Sequence, residues 1–569
     1  MRTALFVCLA SSVIFACGPT PRSHSGDDDD DNDGGVDAVG SCALQCSGDL
    51  HAIVDCNNNV ITQCAGADAC DSNSFTCADA CTAAESNKRS VGCDYYATSM
   101  DVLSHGNCFA AFVANTWNAP AHLTVRHMGA ALAVANFAKI PQGSGPGLTY
   151  AAYDPAVGLM PGQVAVLFLG GGSGGAPLCP FPSAVPTSSF AGTGIGNSFE
   201  IATDVPVVAY QINPYGGGNA AVTAASLLIP TSAWDLDYIA VNVTPNGIAG
   251  SPSLNIIATE DNTVATITPT QAIAGGAGVP AGAAGAPTSI TLNKGQHAQI
   301  TQTAELTGSL ITATRPIGVM AGQTCMNMPT STMYCDHGEQ MIPPVHALGN
   351  RAVGVMYRPR NTAETSTFWK VVGAVDGTQL TWSSSVGGPT TINKGQSVDF
   401  NTGVPFVVTS QDNDHPFMMF TYMTGSEHIA AGGAGSGDPD FVLMVPPEQY
   451  LNSYVFFADP TYPETNLVVT RTRGADAQYH DVTLDCLGPV ASWTALGADF
   501  EFARVDLDTG NFANVGNCST GRHEMKSDAP FGLSVWGWGT NRTSTFTANV
   551  SYGYPGGMNV KPINDVVLF

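Results

Sequence analysis

Apolar residues along this chain recur with a two-residue period, and no long stretch follows the 3.6-residue period of a helix. Short runs rich in Val, Ile and Thr alternate with turn residues. One example is Ser289–Leu292, the turn Asn293–Gly295, and then His297–Ile300. This pattern predicts antiparallel hairpins, and such a sheet must cover its apolar face with another sheet. We therefore predict an all-β, sandwich-like fold.

Two motifs repeat along the chain. The first is a turn that ends in Gly-Gln, with its glycines at Gly162, Gly295 and Gly395. The second is a polar segment followed by Pro and an apolar run, and its prolines stand roughly 100 to 114 residues apart, at Pro206, Pro316, Pro416 and Pro530. Such a period indicates duplicated β-units. We predict about four tandem seven-stranded units in a row, with a closed propeller-like ring as the alternative.

The repeats also predict local structure and boundaries. Gly162, Gly295 and Gly395 should define equivalent hairpin turns that need a positive φ. Arg315-Pro316 should be a turn between two strands, as in a hairpin. The junction motifs around Pro230, Pro343 and Pro446 should lead from one unit to the next. The predicted units are residues 87–235, 236–349, 350–451 and 452–569.

The N-terminus has the pattern of an exported lipoprotein. A short basic start and an apolar core form a predicted signal peptide, residues 1–16, that ends before Cys17. Cys17 is the predicted lipidation site. Residues 17–40 are rich in Ser, Pro, Gly and Asp, and such a segment is predicted to be a disordered acidic tether. These features predict a protein anchored to a membrane, at the outer membrane or cell surface.

The cysteines fit an oxidising compartment. Seven of them lie between Cys42 and Cys81, in a segment with almost no apolar core. We predict that residues 41–86 form a small disulfide knob, with Cys93 as the nearest partner for the odd cysteine. Three further bridges are candidates: Cys325 with Cys335, Cys486 with Cys518, and Cys108 with Cys179.

The net charge of −26 argues against nucleic acid as a partner. No cofactor is indicated. Acidic pairs near strand ends offer oxygen ligands that would suit a structural calcium ion, although exposed turn carboxylates are the simpler interpretation. These pairs are Asp235/Asp237, Asp412/Asp414, Asp438/Asp440 and Asp506/Asp508.

Several motifs together resemble a known family. They are Ala258–Val264, the Leu-x-Lys-Gly-Gln turn, the segment Thr314–Gly322 and the run Asp336–Pro344. In this order they resemble the N-terminal domain of IgG-Fc-binding protein and its bacterial relatives. The lipoprotein start and the segment Asn87–Tyr96 resemble the δ-proteobacterial versions. The resemblance implies a binding protein, and for a bacterial member immunoglobulin is an implausible natural ligand.

No motif in the sequence predicts a catalytic residue. Gly171–Gly175 matches G-x-S-x-G, but Pro177 and Pro180 prevent the helix that a nucleophile elbow requires. Trp536 and Trp538 share one strand face and are weak candidates for an aromatic binding platform, the alternative being a core position. Asp336 and His337 are weak binding candidates in a predicted loop.

We therefore expect a surface-anchored, non-enzymatic binding or adhesion lipoprotein with an unknown protein or glycan ligand. The alternatives are a cell-envelope polysaccharide hydrolase and a purely structural envelope protein. Exposed aromatics beside a groove would favour binding, and two carboxylates facing each other in a cleft would favour the hydrolase.

Overall fold

The computed structural model describes residues 43–56, 59–103, 105–171, 177–217, 220–243, 250–430, 435–474, 476–540 and 548–568. The predicted signal peptide, Cys17, the acidic tether and residues 172–176 lie outside these ranges. Residues 44–568 belong to one compact unit, which is described below. No helix among the described residues is long and apolar enough to cross a membrane.

The first part of this unit is the disulfide knob. Its elements are β1 (Gln45–Cys46), β2 (Ala52–Val54), β3 (Val60–Gln63), β4 (Asp68–Asp71), β5 (Thr76–Asp79) and α1 (Ala80–Asn87). Asp79 caps α1 by accepting a hydrogen bond from the Thr82 amide, and Lys88 ends the helix in the left-handed conformation. Disulfides join Cys46 to Cys70, Cys64 to Cys77 and Cys81 to Cys93. The knob has little apolar core, so these bonds supply much of its stability.

Two groups of strands follow the knob. Group 1 contains β6 (Val91–Ala97), β7 (Phe109–Asn115), β8 (Leu123–His127), β9 (Ala130–Ala131), β10 (Ala138–Gln142), β11 (Thr149–Ala152), β12 (Val164–Gly170), β13 (Gly194–Asn197), β14 (Phe199–Ile212) and β15 (Ala225–Leu227). Group 2 contains β16 (Asp235–Ile239), β17 (Pro252–Ala258), β18 (Thr263–Thr268), β19 (Thr288–Leu292), β20 (Gln296–Thr301), β21 (Leu310–Met326) and β22 (Asp336–Ile342). Strand β13 pairs with β20, so this strand of group 1 belongs to the sheet formed by group 2.

Two further groups complete the chain. Group 3 contains β23 (Arg351–Gly354), β24 (Thr367–Gly373), β25 (Thr378–Gln379), β26 (Thr381–Trp382), β27 (Thr391–Ile392), β28 (Ser397–Thr402), β29 (Phe406–Thr409), β30 (Phe417–Met423), α2 (Ser426–Ile429) and β31 (Asp440–Leu443). Group 4 contains β32 (Leu451–Ala458), β33 (Glu464–Thr472), β34 (Val482–Leu484), β35 (Gly488–Pro489), β36 (Thr494–Leu496), β37 (Phe500–Thr509), β38 (Ala513–Asn514), β39 (Gly521–Trp538) and β40 (Ser551–Pro555). The all-β prediction is confirmed. The described residues give seven strands in group 2 and more in the others.

Strands β14, β21 and β39 each run through a repeated proline. In β21, residues before Pro316 pair with β18, and residues from Ile317 onward pair with β17. Proline has no N–H to donate, so it fits the point where the hydrogen-bond ladder changes partner. The predicted turn at Arg315-Pro316 is therefore wrong, because the extended backbone continues through it. Only in group 3 does the equivalent segment separate two strands, β29 and β30.

The Gly-Gln turns share one conformation. The φ angles of Gly162, Gly295 and Gly395 are 79°, 79° and 71°. In each turn the glutamine side chain accepts a hydrogen bond from the backbone N–H three residues earlier: Met160 to Gln163 (2.9 Å), Asn293 to Gln296 (2.8 Å) and Asn393 to Gln396 (3.1 Å). The glycine supplies the left-handed backbone and the glutamine closes the turn, which explains why the two residues recur together.

The last strand of each group lies beside the last strands of two other groups. Strand β15 contacts β22, β22 contacts β31, β31 contacts β40, and β40 contacts β15. The Thr223 hydroxyl donates to the Ser551 carbonyl at 2.6 Å, and Gln340 Nε2 donates to the Gly553 carbonyl at 3.1 Å. The largest apolar core runs through all four groups. The groups thus close on themselves, as in the ring alternative, whereas a row would leave groups 1 and 4 apart.

Candidate functional site

A pocket of about 300 Å³ lies where the knob, group 1 and group 4 meet, and we call it the seam pocket. The knob contributes the loop Gly48–His51 and the segment after α1 contributes Arg89. Group 1 contributes the loop Asn115–Asn118. A Cβ atom on Gly48 would lie 2.9 Å from the Asn452 Cβ atom, so a glycine is needed for the knob to approach β32 this closely.

Strands β32 and β39 form the floor of the seam pocket. Arg522, Glu524 and Lys526 line the pocket, whereas His523 and Met525 are buried beneath them. Successive side chains of a strand point to opposite faces, so this alternation places three charged groups on one surface. This site is not among those that the sequence predicts. The one sequence pattern that could have indicated it is the alternation of charged and apolar or buried residues at the start of β39.

Four side-chain nitrogen atoms at the seam pocket are buried and make no hydrogen bond within the described part of the chain. They are His51 Nε2, Arg89 Nε, Trp117 Nε1 and Arg522 Nε. The Trp117 side chain is 2% exposed, and the His51 ring stacks on it at 4.1 Å with an interplanar angle of 24°. A buried donor without a partner costs about 1–3 kcal/mol, so these atoms indicate a place for a hydrogen-bonding ligand or water.

The charges of the seam pocket are largely fixed. Burial lowers the pKa of Arg89 to about 10, so its guanidinium stays protonated at neutral pH, and its Nη1 donates to the Gly48 carbonyl at 2.6 Å. Lys526 Nζ lies 2.8 Å from Glu524 Oε1 and 4.0 Å from Asp49 Oδ2. Burial would raise the pKa of Asp49, but hydrogen bonds from His51 and Ser47 outweigh it and hold that pKa well below its usual value. Asp49 therefore stays ionised and is a poor general acid.

Two further hollows adjoin the seam pocket and extend it into a groove along the seam. A hollow of about 390 Å³ shares Asp49 and Lys526 with the pocket, and one of about 530 Å³ shares Gly162 and Arg522 with it. Side chains with hydroxyl or amide groups, such as Thr483 and Asn514, line both hollows, and the first hollow also carries the carboxylates of Asp481 and Asp528. The glycine of the first Gly-Gln turn thus lies at this site.

The structure buries all four residues that the sequence nominated for binding. Trp536 and Trp538 are 1% and 0% exposed and lie against Tyr357, with ring centroids 5.0 and 6.2 Å away. Asp336 and His337 lie on β22 and are 0% exposed. None of them has surface that a ligand could contact. His337 is a strand residue and not the predicted loop residue.

Strand β22 instead carries a buried polar network between groups 1 and 2. His337 Nδ1 donates to the Gln323 carbonyl at 2.8 Å, and Gln211 Nε2 donates to Glu339 Oε2 at 2.7 Å. Burial raises the pKa of Glu339, and it raises the pKa of Asp336 well above its usual value. These contacts indicate a structural role in holding the inner strands together.

The candidate bridges of the sequence analysis correspond to disulfides in the structure: Cys108–Cys179, Cys325–Cys335 and Cys486–Cys518. They lie in group 1, group 2 and group 4. Together with the knob disulfides they are typical of a protein that folds in an oxidising compartment.

The acidic pairs nominated for calcium have other surroundings. Asp235 and Asp412 contact His346 and His415, while Asp438, Asp440 and Asp508 are buried. In the described ranges, the one cluster with ligand atoms close enough for a metal is Asp485, Cys486 and His523. Cys486 is disulfide-bonded, and both His523 nitrogens already contact oxygens, so this cluster does not suit an ion.

The all-β fold and the polar seam pocket fit a binding protein. A family model described as IgGFc binding protein matches residues 224–537, more than half of the chain. The chain therefore belongs to this family, and the predicted resemblance of its motifs to IgG-Fc-binding protein is confirmed.

The chain is also similar to the human IgGFc-binding protein, with 25% identity over 235 residues. The match covers 41% of this chain and 4% of the human protein. No solved structure matches the chain.

Proposed function

We propose that this protein is a surface-anchored, non-enzymatic binding or adhesion lipoprotein. The observation that carries the proposal is the seam pocket, in which four buried nitrogen atoms make no hydrogen bond to any residue that the structure describes. Membership of the IgGFc-binding family supports a binding role. The human relative is named for binding IgG Fc, and for this chain we propose a different ligand that is taken at the seam.

The proposed location of the protein at a membrane rests on the sequence around Cys17. Lipid at Cys17 and an acidic tether would hold the strand groups away from the membrane surface. Replacing Cys17 by Ser in the full chain should abolish palmitate labelling and move the protein to the soluble fraction. A Cys17→Ser variant that still carries the palmitate label and still associates with the membrane would contradict the proposed location.

The alternative to a non-enzymatic protein is a polysaccharide hydrolase that acts at the seam pocket. Asp49 and Glu524 both border the seam pocket, so a polysaccharide hydrolase with two carboxylates has a concrete site. Against it, the lowered pKa of Asp49 removes it as an acid, and Lys526 pairs with both carboxylates. These contacts favour fixed charge over proton transfer.

The experiment that tests the proposal compares binding with turnover. The full chain is exposed to an array of glycans and extracellular proteins and, in parallel, to polysaccharide, ester and peptide substrates. We expect saturable binding without product formation. Product release that stops in an Asp49→Asn or Glu524→Gln variant would establish the hydrolase instead.

A further inference from the structure

We infer that the seam pocket binds the negatively charged group, a carboxylate or a sulfate, of an acidic saccharide. This rests on the proposed function, since it names the ligand class of the same site. Neither the family description nor the human relative's name assigns this pocket or a saccharide ligand.

The unpaired atoms of the pocket point to an anion. Arg89 Nε and Arg522 Nε are N–H donors on guanidinium groups, and Trp117 Nε1 is a neutral N–H donor. Guanidinium N–H groups pair well with carboxylate and sulfate oxygens, and such charge-assisted bonds are stronger than neutral ones. Glu524 pairs mainly with Lys526, whose Nζ lies 2.8 Å from Glu524 Oε1, and more loosely with Arg522, whose Nη2 lies 3.9 Å from Glu524 Oε2. The Nε–H group of Arg522 thus remains for an incoming anion. At the pocket the cations Arg89, Arg522 and Lys526 outnumber the carboxylates Asp49 and Glu524, on a chain whose net charge is −26.

The size and lining of the site point to a saccharide. A volume of about 300 Å³ is at the small end of ligand pockets, and it suits one charged sugar ring better than a folded element of a protein. The groove continues from the pocket on both sides, through hollows of about 390 and 530 Å³. Hydroxyl and amide side chains such as Thr520 and Asn514 line the larger hollow, in which the described lining contains no acidic residue, and such groups pair with sugar hydroxyls. The smaller hollow carries the carboxylates of Asp481 and Asp528, so we expect an acidic polymer to extend from the pocket through the larger one. A linear polymer therefore fits the groove, with its charged residue in the pocket.

The test uses the full chain and isothermal titration calorimetry. The probes are oligogalacturonate for a carboxylate, a sulfated dextran oligomer for a sulfate, a neutral maltooligosaccharide, and poly-glutamate for an acidic polypeptide. The variants are Arg522→Gln and Trp117→Phe, which replaces the indole by a smaller aromatic ring and removes the Nε1 donor. Arg126→Gln is the matched control, because Arg126 is exposed on β8 and lies outside the groove. Circular dichroism and the melting temperature establish that each variant is folded.

We expect one of the two acidic saccharides to bind, and which one does identifies the charged group. Arg522→Gln should weaken that binding roughly 10- to 100-fold and Trp117→Phe about 10-fold, as expected for lost hydrogen bonds to an anion. Arg126→Gln should leave it unchanged. Equal binding of the neutral sugar or of poly-glutamate, no binding of any probe, or binding insensitive to both pocket variants would overturn the inference. Binding of another array ligand in those cases would leave the proposed function standing, whereas polysaccharide cleavage would refute the proposed function itself.

Discussion

Asp508 should make the protein less stable as the pH rises from 4 to 8. Its side chain lies on β37 and is 1% exposed. Burial raises the pKa of Asp508 to about 8 from a usual value of 3.8, and the neighbouring carboxylates of Glu464 and Asp506 act in the same direction. The folded state therefore holds a proton that the unfolded chain releases near pH 4. Stability from this group is fully present below pH 4 and is lost as the pH rises toward 8.

The magnitude follows from the pKa difference. A shift from 3.8 to about 8 corresponds to roughly 6 kcal/mol by pH 8, at about 1.4 kcal/mol per pH unit. Asp508→Asn removes the ionisation and keeps the size of the side chain. The free energy of unfolding of the variant, relative to the natural protein, should therefore increase by about 3 kcal/mol between pH 5 and pH 7.

Urea unfolding followed by circular dichroism at pH 5, 6 and 7 measures this difference. Asp481→Asn is the control, since the Asp481 side chain is 83% exposed and the same charge is removed. Because Asp481 lies at the surface, this substitution should change the free energy of unfolding by no more than about 0.5 kcal/mol at each pH. If the Asp508→Asn difference also stays constant within about 0.5 kcal/mol, Asp508 is ionised in the folded protein and the reasoning from burial fails.

Two other perturbations test the fold. Gly308→Ala should lower the free energy of unfolding by more than about 3 kcal/mol, because φ is 86° and the new Cβ would lie 1.7 Å from the Gly395 carbonyl oxygen. Gly285→Ala is the control: its φ is 74° but the space around it is open, so it should lower the free energy of unfolding by only about 1–2 kcal/mol. Calorimetry measures both. Equal losses would show that the approach of groups 2 and 3 is not tight. Reduction should open the knob first, since Cys46–Cys70 and Cys64–Cys77 replace an apolar core there. Limited proteolysis should then cut residues 43–80 while the β-signal persists, and a knob that survives reduction would contradict this.

The local structure of this protein can be predicted from its sequence, because each hairpin and each turn is determined by a few consecutive residues. The two-residue period defines the hairpins, and the Gly-Gln motif marks turns in which one residue supplies the φ and the next closes the hydrogen bond. The proline repeat was harder to interpret. Pro316 was predicted as a turn, yet its φ also suits an extended strand that exchanges partners, and sequence alone does not separate the two.

Longer-range features leave no local pattern. The hydrogen bond from Thr223 to Ser551 joins residues 328 positions apart, so a ring and a row have the same hairpin sequence. The seam pocket combines Gly48, Arg89 and Trp117 with Arg522, and only the alternation along β39 hinted at it. The sequence does not reveal the buried position of His337, because a polar residue between two apolar runs usually marks a turn. In the structure its Nδ1 donates to the Gln323 carbonyl on the neighbouring strand.

Because the ring closes between its first and last strand groups, the order in which the chain is synthesised affects how it folds. Ser90, just after the knob, donates its amide hydrogen to the Met558 carbonyl, and its hydroxyl accepts a hydrogen bond from the Met558 amide. Tyr210 donates its hydroxyl to the carbonyls of Val455 and Gly556. Group 1 is synthesised first, and its inner face therefore stays uncovered until the last strand of group 4 has been synthesised. Premature termination within group 4 would expose apolar surface at the opposite end of the sequence, and a truncated chain would aggregate through the part that was made first.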